Sequence, residues 1–465
     1  MSAPLLWIFL PLALAGLLML LRNQKAVSLT ACFFTLFLTI AAWLLPIDAP
    51  LTIGHWTFKL TPSFEILGRY LTLTSADRSL LALIYGSALF WFVPAASMQI
   101  AHRLIPLGLA FTSLLVTALA VVPFLYAALF IEMAVLLSLP LLSTPGQKPG
   151  KGLIRFLIFQ TLAVPFILFS GWLLAGIGAN PGNLSLVQQA AILLGLGFAF
   201  LLAIFPFYTW IPMLAEEAHP YAVGFMLWML PTVTMFFGLG FLDRYTWLRD
   251  APALGIILAA VGALMVITGG ILSAFQNHLG RIMGYAAIVE TGFSLLALSL
   301  GAKTGMSTFL LLFAPRVLCL GTWSLALSIL RKHAPKLTLS EVKGLGHRLP
   351  FAASALILAN LALAGMPLLA GFPAHQAVWE GLARSSLPLA FWVFIGSLGL
   401  FASAIRVLAA LVMAPEGIHW EAHETQAQRS FLLVGFLALF LLGLFPQWTL
   451  PLWVKLPAIF EYLGQ

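Results

Sequence analysis

Four charged side chains interrupt long apolar stretches of the sequence, where a charge is costly. They are Glu132, Glu290, Arg316 and Arg406. On membrane-insertion scales a charge at the centre of a helix costs about 2.5–3.5 kcal/mol, so such residues persist where they pair or carry an ion. A row of them on several helices is typical of a proton relay, whereas a single one can also be part of a buried structural ion pair. Arg406 lies near the end of its stretch, and its long side chain can reach the membrane interface instead.

A histidine, His375, lies in an apolar stretch that also contains Gly365, Pro367, Gly371 and Pro373. Proline removes a backbone donor and clashes with the preceding turn, so we expect this helix to be broken, with these four residues as its hinges. A broken helix at membrane depth is tolerated where it is buried in protein or lines a wet cavity. An imidazole, with an unperturbed pKa of about 6.5, suits proton exchange. The plainer interpretation is a kinked packing helix with a structural histidine.

A second proline pair repeats this pattern earlier in the chain. Pro206 and Pro212 are six residues apart, as are Pro367 and Pro373, and we expect both to be hinges as well. Glu132 precedes Pro206 by 74 residues, and a second glutamate precedes Pro367 by 77. Five spans separate the two glutamate-bearing helices. Because an odd offset inverts the topology, the pattern predicts an inverted repeat with its ion path at the helix breaks.

The composition defines the class of protein that must position these residues. The 465-residue chain is 62% hydrophobic and 8% charged, with a mean hydropathy of +1.04. Soluble domains carry roughly 25% charged residues, so this is a polytopic membrane protein. The net charge of +8 then concerns loops at an anionic membrane face rather than nucleic acid. Cys32 and Cys319 lie in apolar stretches without metal-binding spacing, and we predict no metal and no cofactor.

Apolar stretches of about 20 residues predict about fourteen transmembrane helices. No basic residue precedes the first stretch, so we expect a retained span rather than a cleaved signal peptide. Residues 51–60 alternate in polarity and predict a short external hairpin, while 450–465 predict an interfacial segment. The expected spans lie near 3–21, 27–46, 79–97, 104–121, 124–142, 154–176, 187–210, 222–242, 252–273, 282–300, 306–330, 351–382, 388–413 and 429–446.

The distribution of Lys and Arg among the loops predicts the orientation. With the N-terminus outside, thirteen of these residues fall in inside loops and eight in outside loops. The longest inside loop, 331–350, is also the most basic. Since basic residues accumulate on the cytoplasmic side, we expect both termini on the external side of a cell inner membrane.

Three ordered motifs resemble one known family. Phe205–Pro212 (FPFYTWIP) resembles the VPFHxWxP motif of the antiporter-like membrane subunits of proton-pumping NADH:quinone oxidoreductase, respiratory complex I. Arg281–Ile288 (RIMGYAAI) is similar to that family's KRLLGYSSI segment. Ala364–Phe372 (AGMPLLAGF) is similar to its LAGxPxxxGF run, most closely to that of the N-type subunit. Glu132 falls where the family has the glutamate of its fifth helix, and the similarity covers roughly residues 100–410.

The resemblance implies an all-α fold of fourteen helices with two inverted five-helix repeats, in which helices 7 and 12 are broken. Residues 1–98 would form the first three helices and the hairpin, 99–245 the first repeat, 246–414 the second, and 415–465 the last helix and the interfacial segment. It also implies that protons pass along ionisable residues and water, driven by redox chemistry in partner subunits. The chain itself would be a non-catalytic subunit without a redox centre.

The sequence departs from the family pattern at several ionisable positions. The family's lysine in the seventh helix falls on Leu201, and its lysine in the eighth helix falls near Pro231 or Thr232. Its histidine in the tenth helix aligns with Glu290, and its lysine in the twelfth with His375. The first half therefore keeps its glutamate but lacks both lysines that would tune it.

We therefore expect a proton relay through Glu132, Glu290, Arg316 and His375, with the second half more able to conduct. The first hypothesis is a proton-translocating subunit of a complex I-type assembly, in contact with the lipid bilayer and other membrane subunits. A second is a subunit of an Mrp-type cation/proton antiporter or of an ion-pumping hydrogenase, which leaves protons or sodium ions open. A third is a non-conducting membrane scaffold that has lost the lysines.

Overall fold

The computed structural model describes residues 2–53, 56–66, 68–98, 100–143, 146, 148–179, 184–413, 420–449, 451 and 455–463. Within them, twelve helices are long and apolar enough to cross a membrane. Two shorter apolar helices, Leu5–Leu20 and Pro350–Leu363, accompany these twelve. The all-helical, multi-pass membrane fold is confirmed, while the count of fourteen crossings and the inverted repeats stay predictions.

Helices lie at each predicted apolar stretch, and most of their ends are shifted by at most four residues. The exceptions are the helix Leu184–Leu201, which ends nine residues before the expected boundary at 210, and the stretches 306–330 and 351–382, which each contain two helices. A π-helical turn, Leu5–Phe9, precedes the first of them. The α-helices are α1 (Leu10–Leu20), α2 (Gln24–Leu44), α3 (Arg78–Ala95), α4 (Ala101–Ala120), α5 (Ala127–Leu142), α6 (Lys151–Ala179), α7 (Leu184–Leu201), α8 (Trp210–Glu217), α9 (Pro220–Arg244), α10 (Thr246–Arg249), α11 (Pro252–Phe275), α12 (Leu279–Ser299), α13 (Ala302–Leu311), α14 (Phe313–Arg331), α15 (Pro350–Leu363), α16 (Phe372–Ser385), α17 (Leu387–Val412) and α18 (Gln426–Leu444).

Two antiparallel hairpins fill the long polar insertion between α2 and α3. The expected one pairs β1 (Pro50–Ile53) with β2 (Trp56–Lys59); His55, at its turn, lies outside the described residues. The second hairpin, β3 (Ser63–Ile66) with β4 (Arg69–Thr72), was not predicted, and β5 (Val121–Val122) extends it. This third strand ties the insertion to the end of α4.

Residues near both ends of the described chain are held by hydrogen bonds. The Ala3 N–H donates to the Thr61 carbonyl beside the hairpins. The carboxylate of Asp243, at the end of α9, accepts the backbone N–H groups of Glu461, Tyr462 and Leu463 at 3.0, 2.7 and 2.9 Å. These charge-assisted hydrogen bonds fix the C-terminal segment where the sequence predicted an interfacial one.

The breaks between α7 and α8 and between α15 and α16 leave several residues without helical hydrogen bonding. Gly365 has a φ of +78°, a left-handed conformation that favours glycine. A Cβ on Gly371 would lie 2.0 Å from the Ala362 carbonyl oxygen, so only glycine fits. Pro212 and Pro373 lie in the first turns of α8 and α16, where the missing N–H has no helical partner to lose. These two prolines therefore lie within the first turns of the following helices rather than in the breaks.

Candidate functional site

A buried histidine–carboxylate pair lies at the second break. His375, in the first turn of α16, places Nε2 2.9 Å from the Glu290 Oε1 in α12, and the two side chains are 0% and 1% exposed. A carboxylate and an imidazole at this distance share one hydrogen, which can reside on either partner. The pair can therefore receive or release a proton without breaking its hydrogen bond.

The imidazole is held from both sides by its surroundings. Phe293, on the same side of α12 as Glu290, stacks on the His375 ring with centroids 3.9 Å apart and an interplanar angle of 10°. A Cβ on Gly365 would lie 3.0 Å from the His375 Nδ1 and 2.7 Å from Trp379. The left-handed glycine therefore lets the broken backbone approach the ring. The Nδ1 itself is buried and has no hydrogen-bond partner among the described residues.

A buried guanidinium, Arg316 of α14, lies beside this pair. Its Nη2 donates to the Leu227 carbonyl at 3.3 Å and to the Thr291 Oγ1 at 3.2 Å. Since Thr291 follows Glu290 directly, the positive and negative groups are neighbours, and they attract each other electrostatically. The Arg316 Nε and Nη1 are buried without a partner in the described part of the chain. A buried charge with free donors is costly unless an acceptor such as water reaches it.

A small cavity adjoins this guanidinium and connects it to the first helix break. Its volume of about 10 Å³ is close to that of one water-sized probe. Leu201, Trp210, Pro231 and Thr291 line it together with Arg316. Leu201 and Pro231 are positions at or near which the resembled family has lysines. The Arg316 guanidinium of α14 therefore lies close to Leu201 and Pro231, where the lysines of the resembled family are absent.

Glu132 lies apart from this cluster. It is half-buried in α5, where the Thr161 hydroxyl of α6 donates to its Oε1 at 2.6 Å. Its Oε2 is buried without a partner among the described residues. The recorded partners of Arg316 are Leu227 and Thr291, so the structure does not bring Arg316 to Glu132.

Arg406 binds the end of a neighbouring helix rather than a charged partner. Its guanidinium donates to the carbonyls of Ala274 and Gln276 and to the Asn277 Oδ1, the last at 2.8 Å. These acceptors lie at the C-terminal end of α11, where carbonyls lack helical partners and a positive charge is favourable. Arg406 therefore caps a helix and makes no recorded contact with the buried pair.

Two buried amides were missed by reasoning from sequence. Gln160 of α6 donates from Nε2 to the carbonyls of Phe200 and Leu201 at 3.3 and 3.2 Å, where α7 ends. Asn360 of α15 donates from Nδ2 to the Ser403 Oγ at 3.4 Å, ahead of the second break. Each keeps a buried carbonyl oxygen without a partner among the described residues. The available signal was an amide in an otherwise apolar span.

The described residues hold no group of three or more His, Cys, Asp or Glu side chains that could bind a metal ion. A carboxylate, an imidazole and a guanidinium meet in a buried site beside a broken helix, and such a group of side chains can support proton exchange. Fold and site together define a multi-pass membrane protein of the ion-translocating class.

Comparisons with known proteins agree with this class. The family model for the transmembrane region of the NADH:quinone oxidoreductase/Mrp antiporter proteins matches residues 179–405. NADH-quinone oxidoreductase subunit 14 of Thermus thermophilus is 28% identical over 331 residues, covering 68% of this chain and 72% of that protein. These similarities are consistent with a divergent antiporter-like subunit.

Solved structures show the same fold at low sequence identity. A chain of respiratory complex I from Thermus thermophilus superposes with a TM-score of 0.76 and 21% identity, covering 99% of this chain and 100% of that one. A chain of the Mrp complex from Dietzia superposes with a TM-score of 0.80 and 16% identity, covering 99% and 97%. The fold is therefore shared by two kinds of multi-subunit membrane complex.

Proposed function

We propose that this chain is a proton-translocating subunit of a complex I-type NADH:quinone oxidoreductase, in which partner subunits carry out the electron transfer. The observation that carries the proposal is the buried His375–Glu290 pair at the second helix break, 2.9 Å between nitrogen and oxygen. The relatives named as NADH-quinone oxidoreductase subunits support the choice of assembly.

Charge balance explains how the pair would work. With Arg316 protonated and Glu290 ionised, their charges cancel, and His375 is left neutral as a proton acceptor. An arriving proton adds one positive charge to a site that is buried in protein, so the loaded state is short-lived unless the charge moves on.

The relay is proposed for the second half, residues 246–414. Glu132 has a hydroxyl as its hydrogen-bond partner, and the first half has Leu201 and Pro231 or Thr232 at the positions of the two lysines of the resembled family. Arg316, beside the small cavity, would connect the first break to the buried pair through one water molecule. Orientation with both termini on the external side of the inner membrane belongs to the same proposal, since the basic loops favour it.

Proton uptake by membrane vesicles that carry the assembled complex tests the relay. We expect Glu290→Gln and His375→Gln each to lower the uptake rate about a hundredfold, the size of a lost acid–base group. Glu380→Gln is the matched control because this carboxylate lies on the same helix, α16, is exposed and accepts a hydrogen bond from Gln376. Unchanged uptake in the Glu290→Gln/His375→Ala double variant would refute the relay and favour the scaffold.

Purification from native membranes tests the assembly. Copurification with flavin and iron–sulfur subunits is expected for a complex I-type assembly. Copurification with other Mrp-type subunits or with a nickel enzyme would contradict the assignment to a complex I-type assembly, but it would not contradict the proposed relay. Sodium-dependent uptake at constant pH would contradict the choice of proton as the transported ion.

A further inference from the structure

An apolar groove crosses the outer surface of the helix bundle away from the buried pair. It lies between α2, α3, α14 and α18 and has a volume of about 480 Å³. Ser79 and Trp448 lie at one end and Phe90 and Ala438 deeper, and the lining is largely aliphatic and aromatic. Trp43 and Trp448 are 42% and 59% exposed, as tryptophans are at membrane interfaces.

The groove continues into a second cavity that carries positive charge. This cavity, of about 320 Å³, shares Trp43 and Ser79 with the groove and adds Arg78 and Lys455. The Lys455 side chain is exposed, and its ammonium has no hydrogen-bond or ion-pair partner among the described residues. Arg78 donates to the carbonyls of Ala42 and Trp43 through Nε and Nη2, which leaves Nη1 available.

The acidic residue next to Arg78 does not neutralise this charge. The Asp77 carboxylate accepts the Thr74 N–H at 2.6 Å and the Thr74 hydroxyl at 2.9 Å. It is therefore engaged by neutral donors in its own turn. Arg78 and Lys455 therefore place two positive charges at the end of an apolar groove. A molecule with an anionic head and an apolar tail is complementary to both the charges and the groove.

The length and lining of the groove fit a hydrocarbon chain. From Ser79 to Phe90, α3 rises by about 16 Å, which is about the depth of one leaflet of the hydrocarbon core. The groove is lined largely by aliphatic and aromatic side chains, which an acyl chain can contact.

We infer that this surface is a binding site for an anionic phospholipid. One acyl chain lies in the groove between α3 and α18, and the phosphate lies at Arg78 and Lys455. The site uses none of the residues of the proposed relay, so it does not depend on that function. A tightly held lipid would also fill the space between α2 and α18, two helices distant in the sequence.

Native mass spectrometry of the full chain tests this site. The chain is delipidated in detergent and titrated with phosphatidylglycerol or phosphatidylcholine. Each basic side chain near an anionic group contributes about fivefold to binding, so Lys455→Gln is expected to weaken phosphatidylglycerol retention about fivefold. The matched control is Lys25→Gln, which removes an exposed lysine at the opposite end of α2 and is expected to leave retention unchanged.

A second pair of variants tests the groove without changing charge. Ala438→Trp fills it and is expected to abolish retention of one lipid molecule, whereas Leu437→Trp, at an adjacent position that is 54% exposed, is expected to retain it. Equal retention of both lipids, or retention unaffected by Ala438→Trp, would overturn the inference. So would a photocrosslink from Leu83, inside the groove, to a partner protein instead of lipid in the native complex.

Discussion

The attraction between Glu290 and Arg316 can be measured as a coupling free energy of unfolding. Removing one member of a buried charge pair leaves the other uncompensated, which costs about 3–5 kcal/mol. Because both side chains are 1% exposed, we expect Glu290→Gln and Arg316→Met each to destabilise the chain by about this amount. In the double variant no unbalanced charge remains between them, so the combined loss is expected to be smaller than the sum.

The size of the coupling follows from the geometry. Two unit charges about 4 Å apart attract by about 4 kcal/mol at an effective permittivity of about 20. Arg316 contacts Thr291, the neighbour of Glu290, rather than the carboxylate itself, so a somewhat weaker attraction is expected. We therefore expect a coupling of about 2–3 kcal/mol between the two substitutions.

The assay is equilibrium unfolding of the purified chain in mixed micelles with increasing SDS, followed by circular dichroism. The comparison pair is Arg281–Glu216, an ion pair whose side chains are 41% and 38% exposed. Its coupling is expected to be below about 1 kcal/mol, as for other exposed pairs. Additive losses for Glu290→Gln and Arg316→Met, within about 0.5 kcal/mol, would refute a shared electrostatic unit at this site.

Three further substitutions test the helix break, the C-terminal anchor and a helix cap. Gly365→Ala is expected to destabilise the chain by at least about 1–2 kcal/mol, because Gly365 has a φ of +78° and the added Cβ would meet His375 and Trp379. Equilibrium unfolding in SDS measures this loss. Asp243→Asn weakens three charge-assisted hydrogen bonds, so we expect a loss of about 2 kcal/mol and faster amide exchange in residues 461–463. Burial, with the positive charges of Arg331 and Lys332, lowers the pKa of His219 from 6.5 to about 4. Because the unfolded chain then binds the proton more readily, up to about 3 kcal/mol of stability present above pH 6.5 is expected to be lost as the pH falls toward 4.

Two of these predictions have a control variant within the chain. Gly240→Ala, at a helical position with open space around its Cβ, is expected to be neutral or stabilising by up to about 1 kcal/mol. Amide exchange that stays slow in Asp243→Asn would contradict the anchoring role. His219 accepts the Tyr221 N–H through Nδ1 at the start of α9, so His219→Asn keeps a capping acceptor and is expected to remove the pH dependence. If the stability of the His219→Asn variant still falls with pH over this range, a group other than His219 causes the pH dependence.

Local chemistry made much of the helical framework predictable. The membrane class and the helix positions follow from runs of about 20 apolar residues, because each span must satisfy its own backbone in lipid. The breaks at Pro206 and at Gly365–Pro367 follow from backbone rules that act within one turn. The second hairpin was missed because its third strand, β5, comes from residues 121–122, after α3 and α4, and no local sequence pattern predicts that pairing.

The site was predictable in its members but not in its arrangement. Glu290, Arg316 and His375 were conspicuous because ionisable groups are rare in apolar spans. Only the packing of α12, α14 and α16 decided that Glu290 meets His375, 85 residues away, while Glu132 binds Thr161 in a separate place. Hydropathy determines where the helices lie and proline where they break, and both effects are local enough to be predicted from the sequence. Which buried charges share a site depends on how helices pack across it, and that is decided only in three dimensions.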